Sequence, residues 1–390
     1  MNEKTRLEHV NTVAAQTWNY LKINEISLEV PTPEMMVASA TKNETPYVTE
    51  FAASPVSFDT VGKLPDDMKE IETGVGEETV EWIERSAAIT SLIDVPAGCR
   101  PKKPIVVDLT SEVSVAVNTG IRLREGSMAD IVAIASSDNE DESISANLLR
   151  IVVEKDAHAN LFEIISMPPS KTHIEGVGID VKDGASVDID QYSLGAGCSV
   201  VGLAANLSGE KSSLNLKMHY LGKGSETIDI NHLVRMSGKD TRAKIDESGV
   251  LADECRKSLR ATIDLIRGGK GAKGREQETV VVTGDDVVNK TLPVILCDEE
   301  DVQGDHGATI GSMSEEQLQY LRDRGLSMEQ AEELFQRAIT EAAVIHSPTP
   351  RSRAVALDAV AKNFGQDVAD DLDNTIQPTW YWDQTVPERL

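Results

Sequence analysis

Aromatic side chains are scarce in this chain of 390 residues: Phe, Trp and Tyr together make up 4% of it. So few rings argue against a bulky helical or sandwich core and favour stacked small and β-branched residues. Cysteine is sparse too. Cys99, Cys198, Cys255 and Cys297 stand apart, with no Cys-x-x-Cys and no paired histidines, so the sequence carries neither a zinc module nor a disulfide framework. Most of them are expected to be small buried apolar residues. No apolar run is long enough to span a bilayer, and the opening MNEKTRLEHV lacks the hydrophobic core of a secretion signal, which predicts a cytoplasmic protein without membrane contact. Positive charge is in deficit: 38 Lys and Arg against 65 Asp and Glu give a net charge of -27. Such a surface repels nucleic acid, which is not an expected partner. A nucleotide loop is also missing. The basic turn at 267–275 holds four glycines, but its GGKGAKG lacks the Gly-Lys-Ser/Thr ending of a phosphate loop and leads into no helix.

From about residue 85 the chain becomes a series of short Val-, Ile- and Leu-rich runs broken by Gly, Asp and Ser. Each run alternates or stays apolar for a few residues before a turn signal, the pattern of strands. Turns of one type recur as REGSMADI at 124–131, EKDAHANL at 154–161 and VKDGASVDI at 181–189. Their landmarks Gly126, Asp156, Gly184 and Gly209 fall 30, 28 and 25 residues apart. That spacing fits the coils of a solenoid, and on pattern alone a β-sandwich fits equally well. The expected domains are a helical or irregular segment at 1–84, a strand-built core at 85–312 and a helical domain at 313–390. In the first, TWNYLKINEISL at 17–28 reads as a helix or a docking strand, and one helix is expected near 65–72 within a loose connector. In the last, Ala331, Leu334, Phe335, Ala338, Ile339, Ala342 and Ile345 recur at helical spacing, and a proline-containing break at 347–350 precedes a second helix at 351–364. Trp380, Tyr381 and Trp382 form an aromatic tail that packs back or meets a partner.

The stretch 301–331 joins these parts. It carries His306, the only histidine between His232 and His346, in what reads as a Gly-rich turn at a hinge. Ser314 with Gln317, and Ser327 with Gln330, have capping-box spacing, and Gly325 is placed to end the first of two helices. On spacing alone His306 is a turn histidine satisfied by nearby backbone.

The same stretch resembles the C-terminal signature of the SufB/SufD family of iron–sulfur cluster assembly proteins. Asp301, Val302, His306, Gly307, Ala308, Thr309, Gly311, Tyr320, Leu321, Arg324, Gly325 and Ala331 match it in register, and Thr17, Trp18, Leu21 and Asn24 are similar to the family's N-terminal element. Ile263, Gly269, Ala272 and Pro293 fit its late strand–turn–strand pattern. The resemblance implies a mainly β protein, a right-handed parallel β-helix between N-terminal and C-terminal helical segments, and decides for the solenoid over the sandwich. It also implies a non-enzymatic scaffold that holds a transient iron–sulfur cluster shared with a partner, and leaves flavin use open. The Gly register places Glu278 where a SufB-type chain has its reactive cysteine, and the motif reads His-Gly-Ala-Thr, so the chain looks SufD-like. His306 is then the candidate cluster or iron ligand, and Cys297, nine residues earlier, is the one thiol that would approach it, though a structural role is its simpler reading. Gly304 and Met236 stand where family members carry Cys and His. The implied partners are a SufB-like subunit and a SufC-type ABC ATPase. The ATPase would be bound by the C-terminal helices, where Tyr320, Leu321 and Arg324 touch it or merely pack. Two alternatives remain: a homodimeric paralogue working with the ATPase alone, and a solenoid enzyme acting on polysaccharide, which clustered Asp, Arg or Lys in an open cleft would reveal.

Overall fold

Parallel strands of equal length, each joined to the next by a tight turn, can satisfy their backbone groups only by stacking on the previous circuit of the chain. The computed structural model, which describes residues 4–40, 48–50, 56–311 and 315–376, is such a stack. From Ile89–Val95 onward, successive strands alternate between two sheets of nine. Sheet one runs from Val48–Glu50 and Ile105–Asp108 to Lys273–Val282 and Gln303–Gly311, and sheet two from Ser57–Thr60 and Ile89–Val95 to Arg256–Leu265 and Val288–Cys297. All pairings are parallel except the first in each sheet. The solenoid expectation is therefore borne out.

In-register stacking puts like on like. Ile93, Ile121, Ile151, Ile179, Ala205, Val234, Ile263 and Ile295 form one inward ladder of sheet two, and nearly all are fully buried. Each fully buried aliphatic side chain contributes about 1.5–3 kcal/mol. Branched aliphatics stack flush at the strand spacing, and rings do not, which is why aromatics are few.

The recurring turns are built on a left-handed residue. Gly126, Asp156, Gly184, Lys211, Asp240 and Gly271 all have φ between 54° and 78°, and the amide of each bonds to a carbonyl in the turn of the next coil. The fourth landmark is thus Lys211, not Gly209. A Cβ on Gly209 would lie 2.0 Å from the backbone of Lys182 and Asp183, so that glycine serves close approach of two chains and not a positive φ.

The two terminal segments cover opposite flanks. At the N-terminal side, Lys4–Val10 and Ile26–Pro31 form an antiparallel hairpin, followed by helices Pro33–Ala40, Asp66–Lys69 and Glu77–Ser86. The stretch 17–28 thus supplies a docking strand plus a short 3-10 turn at Asn19–Leu21, and the helix near 65–72 shrinks to Asp66–Lys69. Helix Glu77–Ser86 was not expected; Trp82 and Ile83 anchor it, and the Trp82 indole donates to the Pro31 carbonyl at 2.9 Å. This segment lies on the outside of sheet two, with Val75 seated over Gly176 and Gly202. At the other end, helices Met328–His346, Pro350–Phe364 and Gln366–Thr375 cover the outside of sheet one. Ile339, Ala343, Val355, Ala356 and Val360 pack there on Ile134, Phe162, Ile164 and Tyr192. Both long helices open with complete capping boxes, Ser327 with Gln330 and Thr349 with Ser352. Leu334 and Ile345, assigned to the apolar stripe, are exposed instead. The Ser314 cap and the aromatic tail at Trp380, Tyr381 and Trp382 lie outside the described residues. Among the described residues no helix is long and apolar enough to cross a membrane.

A Cβ on Gly202 would sit 2.6 Å from the Val75 amide and 2.7 Å from the Asn11 side chain. Gly202→Ala is expected to cost about 1–3 kcal/mol in urea denaturation and to speed proteolytic release of the N-terminal segment; an unchanged midpoint would show that this segment does not dock as described.

Candidate functional site

An in-register stack has to end, and where it ends its last strands have one unpaired edge. Here those strands are Val288–Cys297 and Gln303–Gly311, the outermost members of their sheets. All nine residues of Gln303–Gly311 are exposed. Directly beneath them the interior changes character. One inward ladder of sheet one reads Ile131, Leu161, Ile189, Leu216 and Ile245, then Glu276 and His306. The ladder beside it reads Ala133, Glu163, Gln191, Met218, Glu247, Glu278 and Ala308. Burying a carboxyl costs several kcal/mol unless it is neutral or paired, so this change needs partners.

They are present. The Glu278 carboxylate accepts from Tyr220 Oη at 2.6 Å, from Lys257 Nζ at 2.5 Å and from Thr291 Oγ1 at 2.6 Å. Lys257 also donates to Thr291 Oγ1 at 2.9 Å and lies 5.5 Å from the Tyr220 ring centre. Opposite them, Glu247 Oε1 meets His232 Nδ1 at 2.9 Å. Tyr220, His232, Lys257 and Glu278 are wholly removed from solvent. Burial and then the nearby Glu278 charge push Glu247 up to about 8. Burial and then Glu247 push Glu276 up to about 9, and burial takes His232 down to about 3. Near neutrality Glu247 and Glu276 therefore keep their protons and His232 stays neutral, beside the contact of Glu278 with Lys257. A second interior cluster lies lower in the stack. His173 joins Ser145 Oγ at 2.7 Å and Glu175 Oε2 at 3.0 Å, and Gln191 donates to Glu163.

His306 lies in the middle of the strand Gln303–Gly311, not in a turn. Glycines at 304, 307 and 311 imitate a turn, but the register with Lys273–Val282 continues the ladder through them. A side chain at 304 would meet Ile295 and Leu265 at 3.2 Å, so that position and, two residues on, His306 face the solenoid axis. His306 is stacked on Glu276 and open on its other side. Glu278 lies one inward position further along the neighbouring strand of the same sheet. Met236 is wholly buried core. Cys297 closes the last strand of sheet two, exposed, with Sγ 3.2 Å from the Glu299 carbonyl. It shares the terminal coil with His306 but belongs to the other sheet, and no hydrogen bond joins them. Among the described residues no group of three His, Cys, Asp or Glu side chains is placed to hold a metal ion. In helix Glu315–Arg322, Tyr320 is exposed and Leu321 half-buried, while the Arg324 guanidinium stacks 3.4 Å over the Tyr320 ring.

A model of the SufBD core domain of the SUF iron–sulfur cluster assembly system matches residues 107–339, from the early coils through the terminal strand into the first long helix. The chain belongs to the SufBD family. This SufBD chain is similar to the cluster assembly protein SufD of Escherichia coli, 22% identical over 72% of this chain and 69% of that one. It is also 22% identical to SufD of Bacillus subtilis over 52% of its own length, spanning half of that relative. A SufBD family protein of Pyrococcus horikoshii is 29% identical over 38% of this chain and 33% of the relative. The expected family and SufD likeness are thus found.

The buried cluster of the SufBD chain escaped the reading of its sequence, although the signal was there. Glu276 and Glu278 occupy alternate, buried positions of one strand, and Lys257 and Glu247 occupy buried positions in neighbouring ones. Charges with period two inside strands mark an inward polar face.

The raised acids give a pH signature. Unfolded, Glu276 releases its proton near pH 4.5; folded, it keeps it to about 9. The folded state binds more protons across that window, so this group's contribution to stability is complete below pH 4.5 and declines as pH rises towards 9. Urea midpoints measured from pH 6 to 9 should fall more steeply for the wild type than for Glu276→Gln, and parallel curves would mean that the carboxyl is not held protonated.

Proposed function

We propose that this chain is a SufD-like scaffold subunit that pairs edge to edge with a SufB-like subunit in the cytoplasm and presents His306 to an iron–sulfur cluster built at the seam. The observation that carries this is the uncovered terminal strand, Gln303–Gly311, in a chain of the SufBD family, with the imidazole at an inward position where the stack stops. An unpaired parallel edge is costly in isolation and is satisfied by another strand. In the proposed complex the cluster is cargo. His306 offers one borderline ligand from this side, as suits a site that must release what it holds. The partner supplies the thiolate, since Glu278 occupies that place here and is committed to Lys257 and Tyr220. No bond of the substrate is made or broken by this chain, which is read as non-enzymatic. Energy comes from a SufC-type ATPase bound at helix Glu315–Arg322, where Tyr320 and Arg324 form an exposed stacked pair. The interior position of the Glu163–Glu175 and Glu247–Glu276 acids also speaks against the polysaccharide reading, because a sugar chain cannot reach them.

Two measurements test the proposal on the complex purified with its partner and ATPase. His306→Ala should leave assembly intact and lower reconstituted cluster yield at least several-fold; equal yields remove the residue from the site. Truncation after 312 is a poor probe of ATPase capture, because the helices beyond 328 cover sheet one. Tyr320→Ala with Arg324→Ala is preferable: capture should weaken about tenfold or more, a loss of about 1.4 kcal/mol, with the melting temperature unchanged. Unaltered capture moves the ATPase elsewhere. Native mass spectrometry decides between pairing with a SufB-like subunit and pairing of two identical chains.

A further inference from the structure

The largest exposed apolar side chains on the N-terminal segment are Trp18 at 71% and Tyr20 at 72% exposure, with Leu21 beside them at 40%. The two rings lie 5.7 Å apart. They are not on a loose end. Asn24 holds the loop closed, accepting from the Thr17 amide at 2.8 Å and donating to the Thr17 carbonyl at 2.9 Å and to Asn19 at 3.0 Å. A 3-10 turn at Asn19–Leu21 and a left-handed Lys22 fix the tip. The chain thus spends order on keeping an aromatic pair in water, the opposite of what burial favours.

The path of this segment says where the pair is aimed. Asn11 donates to the Val201 carbonyl at 3.3 Å and to Asp229 Oδ1 at 2.9 Å, and Thr12 accepts from Asn231 at 3.2 Å, on strands Cys198–Leu207 and Thr227–Met236. Ile23 accepts from Arg260 at 3.0 Å, one strand further along. The carbonyls of Leu21 and Lys22 accept from Lys290 at 3.0 and 3.1 Å, on the last strand of sheet two. Each contact is one coil nearer the open end, and the last of them, at Leu21 and Lys22, adjoins the short turn that carries Tyr20. Lower in the stack, the same segment lays Val75 over Gly176 and Gly202. Among the described residues the rings at the tip find no such seat and stay mostly exposed.

We infer that Trp18, Tyr20 and Leu21 form an aromatic anchor for the second solenoid subunit, gripping the outer face of its terminal strand while the exposed edges pair. This rests on the proposed edge-to-edge assembly and adds to it a contact outside the two sheets. Rigid Trp and Tyr side chains at the margin of an otherwise polar surface have the composition of interface hot spots. A net charge of -27 argues against a lipid surface as the occupant.

The test is titration calorimetry of the full chain with its SufB-like partner, no ATPase present. Trp18→Ala with Tyr20→Ala should weaken binding at least tenfold with an unchanged melting temperature, and Trp18→Phe, which keeps a ring, should stay within about threefold. Trp18 emission should shift to the blue on mixing, and that shift should be missing in Trp18→Phe. Ile310→Asp, in the exposed edge strand, serves as the control for the underlying reading. If Ile310→Asp weakens binding and the double alanine variant does not, the anchor is wrong and edge pairing stands. If neither weakens it, or the wild type does not bind, both fall. Loss of ATPase capture by the double variant with pairing intact would also overturn the anchor.

Discussion

Parallel stacking in register is the constraint from which the rest follows. Each residue rests on the equivalent residue of the coil below, so the environment of an inward position is set by its ladder rather than by its own strand. An aliphatic ladder sustains itself: Ile93, Ile121, Ile151 and Ile179 each find an apolar neighbour above and below. A polar residue inserted singly finds neither. Polar residues must therefore enter in groups, as His173, Glu175 and Asn147 do in one place and His232, Glu247, Glu276, Glu278 and Lys257 in another.

Stability does not explain the second group. A buried ion pair such as Glu278 with Lys257 rarely improves on well-packed apolar residues, because desolvation offsets the attraction. The ladder shows what the apolar alternative would be, since Leu216 and Ile245 occupy it just below Glu276. In this ladder the change from aliphatic to polar comes at the last coils, where the stack meets His306 and the open edge. A concentration of perturbed acids at one end of a fold is better accounted for by what happens at that end than by folding. With Glu276 protonated beneath it, His306 has a neutral neighbour on its inner side.

What could be read in the sequence divides along the same line. Strand runs and the turns at Gly126, Asp156 and Gly184 were legible because small residues and positive φ leave a composition signal. Lys211 hid the next turn, because a lysine in a left-handed conformation looks like any surface lysine. His306 was legible as a residue of interest only through family likeness, and its placement in a turn was wrong because three glycines in nine residues outweigh alternation in a strand that ends a stack. The acid cluster was missed for a different reason. Its members come from four strands of both sheets, with only Glu276 and Glu278 sharing one, and which of them meet is fixed by register across the stack. Helix Glu77–Ser86 was lost in a polar, glutamate-rich stretch: its buried face has helical spacing, Thr79, Trp82, Ile83 and Ser86, but two of those four are polar and leave no apolar stripe to read.

The arrangement of the flanks bears on why the end of the stack is open. The N-terminal segment covers the outside of sheet two, through Val75, Asn11 and Ile23, and the C-terminal helices cover the outside of sheet one, through Ile339, Val355 and Val360. The first coil is closed by short antiparallel strands, Val48–Glu50 and Ser57–Thr60, which stop parallel addition there. Three of the four ways to add another chain are thus blocked by this chain itself. At the fourth, among the described residues, Gln303–Gly311 has no such guard: its glycines offer no bulk, and Ile310 stands half exposed. Natural edges left this bare invite aggregation unless a specific partner covers them. The same economy that protects the remaining faces makes the terminal coil the one place where a second subunit gains most by binding, and the residues that stand there, His306 and the aromatic tip of the N-terminal loop, are those for which the fold itself has no use.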